Sequence, residues 1–150
     1  MPTFISGSQA VITFDNTSGT PTDMSATVSK VSLSADATVG SFYTFGTNVA
    51  NKTEGKRTFM GSLTYPSAED TSSMDYTVSA WFHPGATSTM GTKTLQVDTP
   101  DSSAASYRYS GEIRAKKASF VEQDASSDGT PAMKQLDFEW DGEPTRTILT

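Results

Sequence analysis

At 150 residues with no cysteine, the chain has the length of one domain spanning residues 1–150, and disulfides, thiolate zinc sites and thiol nucleophiles are excluded. A formal charge of −6 and a pI near 4.6 argue against a protein that grips phosphates, which takes clustered Lys and Arg. Hydrophobic residues make up 35% and charged residues 19%, and roughly three residues in ten are Ser or Thr, a balance that suits strands with one solvated face.

Residues 1–10 carry no basic region followed by an apolar run, and no apolar stretch approaches membrane-spanning length, so synthesis and assembly in a cytoplasm are expected, with no membrane partner. The first strand is predicted at Ala10–Asp15, where Ala10, Ile12 and Phe14 alternate with Val11 and Thr13, and Asn16–Pro21 reads as a turn-rich loop. Val28–Ala35 has Val31, Leu33 and Ala35 on one face against Lys30, Ser32 and Ser34 on the other, the period-2 pattern of a half-buried strand. A third short strand is predicted at Phe42–Phe45. Then come Gly46, Thr47, Asn48, Val49, Ala50, Asn51, Lys52, Thr53, Glu54, Gly55 and Lys56, polar and without an apolar period. They are predicted to form a protruding contact loop, the plain alternative being a mobile hairpin tip. Asn16 and Asn51 begin Asn-x-Ser/Thr triplets, which a Ser/Thr-rich chain contains by chance.

Arg57–Tyr65 returns as a strand with Phe59, Gly61, Leu63 and Tyr65 on one face. Pro66 ends it, and the period changes. Met74, Val78, Trp81 and Phe82 fall at i, i+4, i+7 and i+8, which predicts an amphipathic helix within residues 67–83, with Ser67, Asp70 or Thr71 as candidate caps. A strand through Tyr76, Val78, Ala80 and Phe82 competes, because Tyr, Thr and Val suit a sheet equally. Further strands follow at Lys93–Asp98 and Ser106–Val121. In the latter, Tyr107, Tyr109, Gly111, Ile113 and Ala115 share one parity while Ala118 and Phe120 take the other, so a bulge is predicted near Lys116 and Lys117. The last strand, Met133–Asp141, puts Leu136, Phe138 and Trp140 on one face and Gln135 with the acids Asp137, Glu139 and Asp141 on the other. The expected fold is mainly β, a sandwich or barrel of about six to eight strands with one α-helix packed at the side.

Catalytic chemistry finds little support. The only histidine, His83, precedes Pro84-Gly85 at the predicted helix end, where a residue closing the helix fits both position and dipole and is the simpler reading than a Ser-His-Asp site. One His and no Cys build no zinc site, and no carboxylate loop has calcium-binding spacing. Glu69-Asp70 and the stripe Asp137, Glu139, Asp141 are paired acids, but a stripe on one flat strand face does not straddle a sugar, and a solvated or electrostatic face is the simpler reading. Gly55-Lys56-Arg57-Thr58 lacks the upstream glycine of a phosphate loop. No enzyme activity and no cofactor are implied.

The order of elements resembles the major tail tube proteins of long, non-contractile phage tails. The likeness is carried by the run from Thr22 to Ser34, where Asp23 and small residues lead into a strand, by Phe42-Tyr43-Thr44-Phe45-Gly46 before the long loop, by the returning strand Gly55–Ser62, by a central helix, and by two long C-terminal strands ending at Trp140-Asp141-Gly142. The resemblance implies a virion protein of the tail, assembled in the bacterial host cytoplasm. It would form homohexameric rings that stack into a tube around a tape-measure protein, be closed by a tail terminator, and pass double-stranded DNA without binding it specifically. It also implies a chain without the immunoglobulin-like C-terminal domain some members carry. On this reading residues 46–56 contact the next ring, and Asp137, Glu139 and Asp141 are candidates for an acidic lumen wall, the plain alternative being an outer solvated face. Lys56-Arg57 and Arg114–Lys117 are more cationic than such a wall suggests and are expected to face neighbours or the exterior. A carbohydrate-binding β-sandwich using Tyr107 and Tyr109, a tail completion protein and a capsid decoration protein are the alternatives.

Overall fold

The computed structural model describes residues 10–46, 49–85, 91–99, 106–126 and 128–149. Among these residues eight strands run in the order β1 (Val11–Asp15), β2 (Pro21–Asp23), β3 (Lys30–Phe42), β4 (Asn51–Pro66), β5 (Lys93–Thr99), β6 (Ser106–Ala118), β7 (Met133–Trp140) and β8 (Thr145–Leu149), with one α-helix, α1 (Met74–Phe82), between β4 and β5. They form one curled, antiparallel sheet in the spatial order β2-β1-β5-β6-β7-β4-β3, and β8 extends the line of β7 by pairing with the first half of β6. The mainly-β expectation with one helix at the side therefore holds.

Alternation sets the core. Ile12 and Phe14 of β1, Leu63 and Tyr65 of β4, Leu95 and Val97 of β5, Ile113 of β6, and Leu136, Phe138 and Trp140 of β7 are all buried on the concave face. The helix closes part of that face with Met74, Val78 and Trp81, the residues whose spacing predicted it, so the competing strand is excluded. Its cap is Ser73, whose hydroxyl accepts from the Tyr76 amide at 3.2 Å, instead of Ser67, Asp70 or Thr71. Asp70 has a different task, accepting from the Ser72 amide and hydroxyl at 3.0 Å in the turn just ahead. Trp81 meets Phe14 with ring centroids 6.0 Å apart, which locks α1 to β1.

Beneath the helix, Lys134 of β7 reaches Asp75 of α1, Nζ lying 3.0 and 3.2 Å from the carboxylate oxygens. Asp75 also accepts from the Ala68 amide at 2.8 Å, so one buried charge pair fixes the helix, a central strand and the approach loop together. Gly61 of β4 has to be glycine for close approach: a Cβ there would collide with the Ser32 carbonyl and lie 2.7 Å from the Phe138 ring.

The predicted bulge is present between Ala115 and Lys117, turning Ala118 back toward the core opposite Leu136. The strand stops there, and Ser119–Val121 lies outside it. The predicted strand Val28–Ala35 belongs to a 13-residue strand, Lys30–Phe42, whereas the short strand predicted at Phe42–Phe45 is absent: Phe42 ends β3, and Tyr43, Thr44 and Phe45 lie beyond it at the turn. The short β2 and the C-terminal β8 were not anticipated.

Candidate assembly interface

The β3–β4 hairpin divides into two parts with different support. From Met60 to Thr64, β4 is flanked by β7 on one side and β3 on the other, and Tyr65 and Pro66 continue against β7. From Asn51 to Phe59 it pairs with β3 alone, so the outer hairpin is a two-stranded ribbon projecting past the sheet. This corrects the predicted loop: Asn51, Lys52, Thr53, Glu54, Gly55 and Lys56 are strand, with Phe42↔Asn51, Ser41↔Lys52, Gly40↔Thr53 and Val39↔Glu54 in register. Gly46 lies in the turn, Val49 and Ala50 lead into β4, and Thr47 and Asn48 fall outside the described residues. The sequence does not mark the ribbon as strand because both of its faces are solvated, which removes the period-2 contrast of a half-buried strand. Close backbone approach explains Gly55, where a Cβ would sit 2.8 Å from the Thr38 carbonyl oxygen.

An isolated two-stranded ribbon is marginal in water, and this one carries apolar side chains without a core. Val39, Phe42, Tyr43 and Phe45 are exposed, Tyr43 by 76% and Phe45 wholly. The run Phe42-Tyr43-Thr44-Phe45 was the available sequence signal: aromatics crowded at a turn are otherwise unusual on a solvated surface.

The convex face carries the predicted acidic stripe, in changed company. Asp137 and Glu139 point away from the buried Leu136, Phe138 and Trp140 as expected. Arg114 and Lys116 of β6 lie beside them on the same face: Lys116 Nζ is 3.6 Å from Glu139, and Arg114 is 3.5 Å from Asp141. Asp137 accepts from Gln135 at 2.6 Å and lies opposite Lys117 in register. Arg114 and Lys116 thus share one face with the acids, so the basic and acidic runs turn the same way whatever that face meets. Antiparallel register places the basic run of β6 directly across from the acidic run of β7. Farther along, Arg108 holds Asp98 through two hydrogen bonds of 2.8 and 3.0 Å, and Thr94 donates to Glu112 at 2.6 Å. The face is a mesh of opposite charges. Its ion pairs are about half exposed, so each adds little stability.

His83 is buried at the end of α1, with its ring 5.8 Å from Phe120. Its Nε2 has no hydrogen-bond partner among the described residues. Burial, reinforced by the positive Lys134, holds its proton affinity below the usual imidazole range, and Asp75 opposes the shift only partly. Burial likewise raises the pKa of the Tyr65 phenol, helped by the Asp75 charge. These groups form a structural cluster under the helix. Tyr107 and Tyr109, the candidate sugar platform, are half-buried along the line where β8 pairs with β6. No group of three or more His, Asp or Glu side chains suited to a metal ion occurs among the described residues.

No protein-family model and no curated protein matches the sequence. Solved structures do match in fold. The chain is similar to one in the cryo-EM structure of the anti-feeding prophage baseplate, 6-fold symmetrised, with a TM-score of 0.70 and 13% identity over 99% of this chain and 97% of that one. It is similar to the SPP1 tail tube, with a TM-score of 0.68 and 11% identity over 97% of this chain and 80% of that one. For an extracellular contractile injection system, the PVC sheath-tube complex, the TM-score is 0.66 at 8% identity, over 97% and 92% of the two chains. The chain shares its fold with chains of these assemblies. Because a contractile system shares it, the fold does not single out the non-contractile tails that the sequence resembles.

Proposed function

We propose that this chain is a structural protein of a phage-type tail, which self-assembles into hexameric rings that stack into the tail tube, and that it is not an enzyme. The observation that carries the reading is the β3–β4 ribbon, an element with apolar aromatics at its tip and no intramolecular surface to cover them, on a fold otherwise known from tube assemblies. The 6-fold symmetry of the baseplate assembly with the same fold supports a hexamer. In such a ring residues 46–56 contact the adjacent ring, a tape-measure protein fills the tube during assembly, a tail terminator closes it, and double-stranded DNA passes later. The mature product resides in the virion tail after assembly in the host cytoplasm.

Asp137, Glu139 and Asp141 are the candidate lumen wall, since they lie on the sheet face opposite the core. Paired with Arg114 and Lys116, they present DNA with alternating charge whose field dies within a Debye length of about 8 Å, while a formal charge of −6 per copy sets a weak overall repulsion. Such a wall neither binds phosphates firmly nor traps them.

Electron microscopy of concentrated purified protein tests the proposal. Rings or tubes of uniform diameter are expected, and deletion of residues 48–54 should leave folded monomer that forms none. A strictly monomeric wild-type protein under assembly conditions, or normal tubes from the deletion variant, contradicts it.

A further inference from the structure

The helix covers only part of the concave face. At the uncovered end the curled sheet leaves an open cleft of about 850 Å³, with Val31, Leu33, Phe59, Val97, Trp140 and Pro144 contributing its apolar wall. Two guanidiniums line the same cleft. Arg57 lies over the Phe59 ring at 5.4 Å, and Arg146 over the Tyr107 ring at 5.3 Å, so both are already held in aromatic company. The rim also holds the exposed Arg57–Glu143 pair at 3.6 Å, which an incoming group can displace at small cost.

We infer that this cleft is the receptor for the aromatic ribbon tip, Tyr43 and Phe45, of a second copy of the chain. The inference rests on the tube reading and names the surface the ribbon meets. Chemistry matches on both sides: exposed aromatic rings on one, an apolar cleft flanked by guanidiniums on the other. Reach decides that the occupant is another molecule. Ala35 lines the cleft at the base of the ribbon, and Phe42 lies seven residues along the same paired strand. At about 3.3 Å per residue the tip stands roughly 23 Å away, and a hydrogen-bonded ribbon cannot double back onto its own base. Tip and cleft are different patches of one surface, so the contact is heterologous and leaves a free tip at one end and a free cleft at the other. A contact of that kind propagates from copy to copy.

The absence of cysteine makes the test clean. Ala35 and Phe45 are both exposed, so the Ala35→Cys/Phe45→Cys protein should fold, and mild oxidation of its assembled particles should give a ladder of covalent multimers on a non-reducing gel. Phe45→Cys alone should stop at dimer or below. In parallel, the Tyr43→Asp/Phe45→Asp protein should keep the wild-type circular dichroism and melting temperature as a monomer while its assembly threshold rises at least 100-fold. Tubes of wild-type diameter that yield no ladder overturn the docking and leave the tube reading standing, as does wild-type assembly by the double-aspartate protein, which assigns the cleft to some other occupant. Absence of ordered particles from every variant and from the wild type overturns both.

Discussion

The helix-covered half of the sheet and the projecting ribbon obey opposite rules. Under α1, apolar side chains are sealed, Trp81 packs on Phe14, and the buried Lys134 is paired with Asp75. On the ribbon, two strands hydrogen-bond only to each other and the large apolar residues face water. The first half is complete as a monomer. The second acquires a stable environment only from another molecule, and this difference shows where folding ends and assembly begins. Substitutions under the helix should therefore move stability, whereas substitutions at the ribbon should move assembly and leave stability in place.

The largest effect is expected at the buried ion pair. Asp75→Ala strands the Lys134 ammonium in the core and withdraws the acceptor of the Ala68 amide, and should cost about 3–5 kcal/mol in urea unfolding. A loss below 1 kcal/mol would mean that the helix is held by apolar packing alone. A smaller effect should follow pH. His83 holds its proton less tightly in the fold than in the unfolded chain, whose imidazole titrates near 6.5, so stability is full above that value and declines as pH falls through it, by at most about 1.4 kcal/mol per pH unit. The decline should level off below the depressed native value. Asp23 and Asp70, held below their ordinary 3.8 by hydrogen bonds from Ser25 and Ser72, begin to matter only in stronger acid, which leaves the window between to His83. Urea midpoints at pH 7.5 and 5 should differ for the wild type and coincide for His83→Gln; an equal shift in both would remove His83 from the account.

The two halves also differed in legibility. Val31 and Leu33, Leu63 and Tyr65, and Leu136, Phe138 and Trp140 announce their strands because one face is buried and the other is not. The helix was readable from Met74, Val78 and Trp81, and the bulge at Lys116 from a parity change. The ribbon looks like a loop in the sequence because a strand solvated on both faces carries no periodic signal, and its polar run from Asn51 to Lys56 has turn-like composition. The five-residue β8 is likewise almost wholly exposed, and its pairing with Ser106–Ser110 depends on register across the sheet. Register also hid the pairing of Arg114 and Lys116 with the acidic stripe. Each run's charge is visible in one dimension, but that they lie side by side is a fact of three. Of the cleft, Glu143 and Arg146 had no local mark and Arg57 stood out only by its charge, since only the curl of the sheet brings β4 and β8 to one mouth.

The central claim, that the ribbon is an intermolecular element, is tested most directly by hydrogen exchange on monomer and assembled particles of the wild-type protein. In the monomer the amides of Val39–Phe42 and Asn51–Glu54 should exchange many times faster than those of Leu63–Tyr65 and Leu136–Phe138. Assembly should slow the ribbon amides at least 100-fold and leave the core amides as they were. A ribbon as well protected in the monomer as in the particle, or as exposed in the particle as in the monomer, would contradict the account.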